Sequence, residues 1–304
     1  MDIKNIKEIE EILNKTGDYN SVMNIAKSYK NFPQCIVSKR SDLYEVFKAY
    51  HHHDIYEVIY IIKGTVQFFI EEKKYEITSG DMILVAPNIL HKLVFTNTKE
   101  CHRVIVNFTK EFIKSFQSNN TDLLNVFELI NKKGMHKISF FPEKQKRLER
   151  YFIDMEKTQF SNNFGDDLIF KVNFAEFMLL VNRIYMNLNE EELINKNIND
   201  PYVTKTIEFI NNNIDKRIQL TDIANHLSLS VSRIAHLFKN VTGLSIMNYI
   251  IKKRLVLAQN LLKNGAHIKD VYLQCGFPDE ASFFRYFKQE FNTTPKKYAM
   301  SAHI

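Results

Sequence analysis

The 304-residue sequence has no uninterrupted apolar run near the roughly 18 residues that a membrane-spanning helix needs, so no such span is expected. A secretory leader is not expected either, because "MDIKNIKEIEEILNK" is charged and amphipathic where a leader has a basic start and a short apolar stretch. Cysteine is sparse: Cys35, Cys101 and Cys275 are odd in number and widely scattered. That usage fits reduced thiols in a cytoplasm better than a disulfide framework. Excess charge is missing from most of the chain. Residues 1–200 hold 27 Lys+Arg against 28 Asp+Glu, whereas residues 201–304 hold 14 against 7. The surplus of positive charge therefore lies wholly in the last third. Such clustering points to a polyanionic partner, although a solvated lysine face would give a similar count.

What is present is enough for two or three domains with real cores, at a hydrophobic fraction of 45% that is ordinary for a globular protein. Ile3, Ile6, Ile9, Ile12 and Leu13 recur at helical spacing, which predicts a helix over residues 3–30. From about 35 to 108 the pattern becomes short β-branched and aromatic runs, "EVIYIIKG", "TVQFFIEE", "YEITSGDMILVAP" and "RVIVNF", punctuated by Gly64, Gly80 and Pro87. Several short strands with turns between them predict a sandwich or barrel. Residues 109–190 return to helix, notably in "PEKQKRLERYFIDMEKT" and "DDLIFKVNFAEFMLLVNRIYMNL". The apolar residues of the second stretch, Leu168, Ile169 and Val172 among them, exceed what one exposed helix face needs. With Phe174, Ala175, Met178, Leu179 and Ile184, and with the helix at 143–157, they suit a dimer contact, a cover over the open side of the strands, or both. The Asn-rich "NEEELINKNINDPY" reads as a linker over residues 191–201, and residues 202–300 are helical again. The expected organisation is an N-terminal helix and strand domain (1–108), a helical dimerisation segment (109–190), the linker, and a C-terminal helical domain (202–300).

The last hundred residues repeat themselves. Phe238-Lys239 aligns with Phe287-Lys288, and Tyr249 with Tyr298, at an offset of 49. Asp222-Ile223 aligns with Asp270-Val271 at 48. Each copy reads as helix, tight turn, helix, with Thr221 and Ser230 as caps in the first and Asp279 in the second. This is the layout of a helix-turn-helix, whose second helix enters the major groove. An ordinary helical hairpin is commoner, but the duplication, the basic charge and the two-faced second helices weigh against it. Ile234, Leu237, Phe238 and Val241 form one apolar stripe, with Ser232, Arg233, His236 and Lys239 off it. Phe283, Phe287 and Phe291 form the other, with Ser282, Arg285 and Lys288 off it.

The segments "LTDIANHLSLSVSRIAHLFKNVTGLSIMNYIIKKRLVLAQNLL" and "IKDVYLQCGFPDEASFFRYFKQEFNTTPKKY" resemble the DNA-binding domain of AraC/XylS transcriptional regulators. Gly276, Phe277, Asp279, Ser282, Phe283, Arg285, Phe287, Lys288, Thr294, Pro295 and Tyr298 fall on the family signature. The resemblance implies an α+β multidomain chain, with an N-terminal cupin-like β-barrel and helical segment and a C-terminal all-α double helix-turn-helix. It further implies that a long helix, about Ile246–Lys263, holds the two units so that their second helices reach successive major grooves. Arg285 is then suited to donate to guanine O6 and N7, with Arg233 and His236 as weaker base readers and Ser232 and Ser282 beside them. Lys239, Lys288, Lys296 and Lys297 suit phosphates. Phe284 either touches a thymine methyl or is buried. Three positions depart from the pattern: Ser228 stands in the first turn where glycine is frequent, Asn292 replaces a second glycine, and Cys275 replaces a small apolar residue. Strain is expected at Ser228, tolerance at Asn292, and core packing at Cys275, with a redox sensor as a remote alternative. The implied partners are double-stranded DNA, a second copy of the chain, RNA polymerase and a small-molecule effector. The chain is then a cytoplasmic regulator of the activating kind, not an enzyme, and without a cofactor.

"YHHHDIYEVIYIIKG" supplies the second candidate site. His51, His53 and Glu57 share strand parity, and with His91 they match the ligand arrangement of metal-binding cupins. The sensor domains of AraC-type regulators keep similar residues as effector contacts or at the barrel mouth, and that is the reading preferred here. His51, His53, Glu57, Phe68, His91 and Phe95 are thus candidate effector residues, beside an apolar wall of Ile55, Ile59 and Ile61. His52 is expected on the opposite, exposed face. A metal-binding cupin sensor or enzyme fused to the DNA-binding domain, or a module switched by a protein partner, are the alternatives.

Overall fold

The β-branched and aromatic runs become strands: β1 (Cys35–Asp42), β2 (Tyr56–Lys63), β3 (Thr65–Ile70), β4 (Lys73–Thr78), β5 (Asp81–Val85), β6 (His91–Phe95) and β7 (Cys101–Phe108). A short β8 (Lys137–Ser139) lies inside the stretch expected to be wholly helical, and it pairs with β5 through Asp81↔Ser139. The computed structural model describes residues 34–42, 50–71, 73–95, 100–116, 118–188 and 200–302; the helix expected at 3–30 and nearly all of the expected linker lie outside them. Two compact units divide the chain, residues 1–70 with 74–197 and residues 71–73 with 198–304.

In the first unit the strands form two sheets, with orders β1-β7-β2-β5-β8 and β4-β3-β6. This corrects the barrel: among the described residues the ladders do not close. The chain changes sheet between β2 and β3 at Gly64 and between β4 and β5 beside Gly80, both at positive φ (103° and 85°). A Cβ on Gly64 would stand 2.7 Å from the Glu100 carbonyl oxygen, so this corner needs glycine for both its angle and its room.

Strand parity sorts the side chains into two layers. Ile59, Ile61, Val66, Phe68, Tyr75, Ile83 and Leu93 form an apolar cluster with contributions from both sheets. Val58, Tyr60, Met82, Leu84, Val104 and Val106 point the other way and meet helices. Those helices are α1 (Lys110–Lys114), α2 (Asn125–Lys133), α3 (Pro142–Thr158) and α4 (Asp166–Met186). Thr109 caps α1 by accepting from Phe112 N, and Pro142 begins α3, where its missing N–H costs nothing. Phe174 of α4 anchors the layer edge-on to Phe108 (5.0 Å) and Phe112 (4.9 Å). On the far side of α4, Leu168, Ile169 and Val172 stay exposed, at 62%, 46% and 51%. These three do not help to cover the strands, whereas Phe174 and Met178, with Ala175, Leu179 and Ile184 beside them, do.

The second unit is helical: α5 (Pro201–Asn212), α6 (Leu220–His226), α7 (Val231–Thr242), α8 (Ile246–Lys263), α9 (Ile268–Gln274), α10 (Glu280–Phe291) and α11 (Pro295–Ala302). Asp200 caps α5 ahead of Pro201. The start of α6 differs from expectation. Thr221 is not its cap, because Gln219 precedes the first turn and donates its N–H to Asp222 Oδ2 at 2.8 Å. Among the described residues no helix is long and apolar enough to cross a membrane.

Candidate DNA-binding surface and ligand-binding layer

The two repeats of the second unit fold alike down to single bonds. In the first, Ser228 N donates to Asn225 O and Leu229 N to Ala224 O; in the second, Gly276 N donates to Leu273 O and Phe277 N to Tyr272 O. The turn residue is left-handed in both, φ 54° at Ser228 and 73° at Gly276. The ends of α7 and α10 match as well, with Gly243 at φ 76° and Asn292 at 53°. Phe238 meets Tyr249 at 5.4 Å and 75°, and Phe287 meets Tyr298 at 5.6 Å and 76°. Each pair ties the second helix of its unit to the helix that follows.

These anchors fix which face of each second helix is free. Ile234 and Phe238 of α7 are buried, as are Phe283, Phe287 and Phe291 of α10. Ser232, Arg233, His236 and Lys239 are exposed on α7, as are Arg285 and Lys288 on α10 and Lys296 and Lys297 on α11. Ser230 Oγ accepts from Arg233 N at 3.3 Å and Asp279 Oδ1 from Ser282 N at 2.7 Å, so both helices start at capped ends. Ser282 is half-buried and its hydroxyl donates to Asp279 Oδ2 at 3.1 Å, which engages it in the cap. Asn240, one turn beyond His236, comes within 3.2 Å of its ring. Arg285 lays its guanidinium 4.8 Å from the Tyr286 ring centroid. That stack holds the charge at the surface without neutralising it. Phe284 is half-buried, edge-on to Phe283 at 5.6 Å and packed with the α10 core, so burial accounts for most of it. Cys275 is fully buried, and burial pushes its thiol up to about 12 against the opposing charge of Arg254, which suits packing and not redox sensing.

The predicted effector residues converge in the first unit. His51 and His91 exchange backbone hydrogen bonds at 3.0 Å, which brings the segment before β2 against β6. Their rings then lie 4.2 Å apart, with the His53 ring 5.0 Å from that of His91. His53 (3%), Glu57 (7%) and His91 (1%) are buried, and His51 is half-buried. Glu57 Oε2 sits 3.5 Å from His53 Nε2 and 3.2 Å from His91 Nε2. Burial alone would raise the Glu57 carboxyl; the two imidazoles outweigh it and hold the group well below the usual carboxylate range. Burial would lower His53, and Glu57 reverses that too, so His53 lies above its ordinary value. Phe68 stacks on His91 at 5.8 Å and 10°, while Phe95 is half-buried at the edge of the inter-sheet cluster. Ile59 and Ile61 form part of that cluster as parity implied. His52 differs from expectation: it is 2% exposed, and so is not a surface histidine.

Arg103 was not singled out by sequence. It is 2% exposed, pairs with Ile61 in the β2–β7 ladder, and holds its guanidinium 5.3 Å from the Phe95 ring centroid. The alternation along β7, with Cys101 in the inter-sheet cluster and Val104 and Val106 toward the helices, could have flagged an inward cation.

Residues 32–164 match the model of the AraC-like ligand binding domain, and residues 223–301 match that of a helix-turn-helix domain. The chain belongs to the AraC family of transcriptional regulators. Relatives of this AraC-type chain include the HTH-type transcriptional activator RhaS of Shigella flexneri serotype 5b (strain 8401). It is 23% identical over 278 residues, covering 90% of this chain and 96% of the relative. RhaS of Escherichia coli O6:H1 (strain CFT073) is 22% identical over 247 residues, covering 81% and 85%. Among solved structures, ToxT from Vibrio cholerae O395 aligns over 88% of this chain and 98% of its own, at 17% identity and a TM-score of 0.35.

Proposed function

We propose that this AraC-type chain is a sequence-specific activator of transcription that works as a homodimer in the cytoplasm and is controlled by a small molecule. One observation carries the reading: both second helices bury an aromatic or aliphatic stripe and turn arginine and lysine outward from a duplicated frame. Arg285 reads guanine, and Arg233, His236, Ser232 and Ser282 make lesser contacts beside it. Lys239, Lys288, Lys296 and Lys297 bind phosphates and set the register. Phe284 supports α10 from behind the reading face. Activation implies contact with RNA polymerase, and the activator relatives favour that sign of control.

The inter-sheet layer serves as the sensor. His51, His53, Glu57, His91 and Arg103 give polar anchors within walls that include Phe68 and Phe95, the mixture that small-molecule pockets use. Leu168, Ile169 and Val172 on α4 offer an apolar face for a second copy. An effector acts only if it binds one dimer arrangement more tightly than another. The test is selection of bound genomic fragments by the purified full chain at physiological ionic strength. Recovery of discrete upstream regions supports the reading; fragments no richer in any sequence than the input would defeat it.

A further inference from the structure

The hydrogen bonds around the three histidines fix more than their positions. His53 Nδ1 lies 3.0 Å from Ile55 O, and His91 Nδ1 lies 2.8 Å from Ile89 O. A carbonyl oxygen can only accept, so both Nδ1 atoms carry hydrogen and both Nε2 atoms are left to face the centre. There they meet Glu57 Oε2, at 3.5 and 3.2 Å. In the neutral tautomers two imidazole lone pairs and a carboxylate oxygen point at one another inside a buried layer. That arrangement holds only if positive charge lies among them, supplied by protons or by a metal ion. His51 completes the set, because ligand atoms of His51, His53 and His91 all lie within 4.8 Å of one another.

We propose that His51, His53 and His91, with Glu57, form a binding site for a divalent first-row transition-metal ion. The inference needs neither the DNA-binding reading nor the small-molecule reading. Imidazole nitrogens with one carboxylate suit zinc, copper, nickel or iron, and they disfavour magnesium and calcium, which take oxygen ligands. The Nδ1 contacts to Ile55 O and Ile89 O are the outer partners that metal-bound histidines use to lock ring orientation. Tetrahedral ligation at zinc–nitrogen distances of about 2.0–2.1 Å sets nitrogens roughly 3.3 Å apart, so capture draws the rings inward by about an ångström or more. His51 is the half-exposed member, with room to make that movement.

The experiment uses the full chain without a polyhistidine tag, stripped with chelator and titrated with Zn²⁺ and Co²⁺. We expect one ion per chain and visible d–d absorption from bound Co²⁺. We expect a melting temperature raised by roughly 5–10 °C at about a hundredfold excess over Kd. His51→Ala and Glu57→Gln should each weaken binding by about 100-fold, since even outer partners are worth 10–100-fold. His102→Ala, at a surface histidine paired with Glu100, should leave binding unchanged. The cobalt spectrum of the unaltered chain needs no variant to fold. Absence of a stoichiometric ion and of that absorption would overturn the proposal and leave a proton-held His–Glu cluster. So would binding abolished by His102→Ala but not by His51→Ala.

Discussion

Ser228 carries a side chain at φ 54° in a turn whose counterpart uses Gly276 at φ 73°. A left-handed non-glycine residue costs about 1–2 kcal/mol, and glycine gives back about 0.5–1 through the unfolded chain. Ser228→Gly should therefore stabilise the protein by up to about 1 kcal/mol in denaturant melts. The reverse change is not symmetrical. A Cβ on Gly276 would lie 2.5 Å from Ile214 O and 2.8 Å from the Asp215 carbonyl carbon, so Gly276→Ala should cost about 2–5 kcal/mol. Single residues also separate reading from positioning. Arg285→Ala should relax base preference at one position, at about 1–3 kcal/mol in competition binding. Lys288→Ala should instead weaken all duplexes alike and reduce the slope of log K against log salt by about 0.9.

At the scale of elements, α10 holds its exposed cationic face in place only while its aromatic side stays anchored. Phe287 packs against Phe283 (5.5 Å), Phe291 (4.5 Å) and Tyr298 (5.6 Å), all in one buried cluster. Phe287→Ala should cost about 3–5 kcal/mol of stability, whereas Arg285→Ala should stay within about 0.5, as measured by thermal or denaturant unfolding. This division was readable in the sequence because helical spacing alone puts Phe283, Phe287 and Phe291 on one side of Arg285. The first turn was readable through the family resemblance, which puts Ser228 where glycine is frequent. Other features depend on distant pairing. β8 is three residues long and exists because Asp81 and Met82 find partners in it, which no local pattern announces. His52 breaks the parity argument because it precedes β2, where strict alternation does not hold. Arg103 shares the strand parity of Cys101, which is a local hint, but only the pairing of β7 in the sheet shows that this face is buried. The strand pattern left sandwich and barrel both open for a similar reason, since sequence marks Gly64 as a turn without saying that the chain changes sheet there.

For the molecule as a whole, regulation requires that ligand occupancy and DNA reading be linked through an assembly. In the proposed dimer the exposed Leu168, Ile169 and Val172 of α4 would supply the apolar face for that purpose. Ile169→Asp with Val172→Asp should shift the chain from dimer to monomer in sedimentation velocity while leaving its secondary structure intact, because neither residue is buried. DNA affinity should then fall most on paired sites. The most direct test of the account is selection of the full-length protein on randomised duplexes at physiological ionic strength. The account predicts an enriched sequence with two blocks about 10–10.5 base pairs apart, the block facing α10 degraded by Arg285→Ala. A single block, or a pattern that Arg285→Ala leaves unchanged, would contradict the claim that both repeated units read the groove.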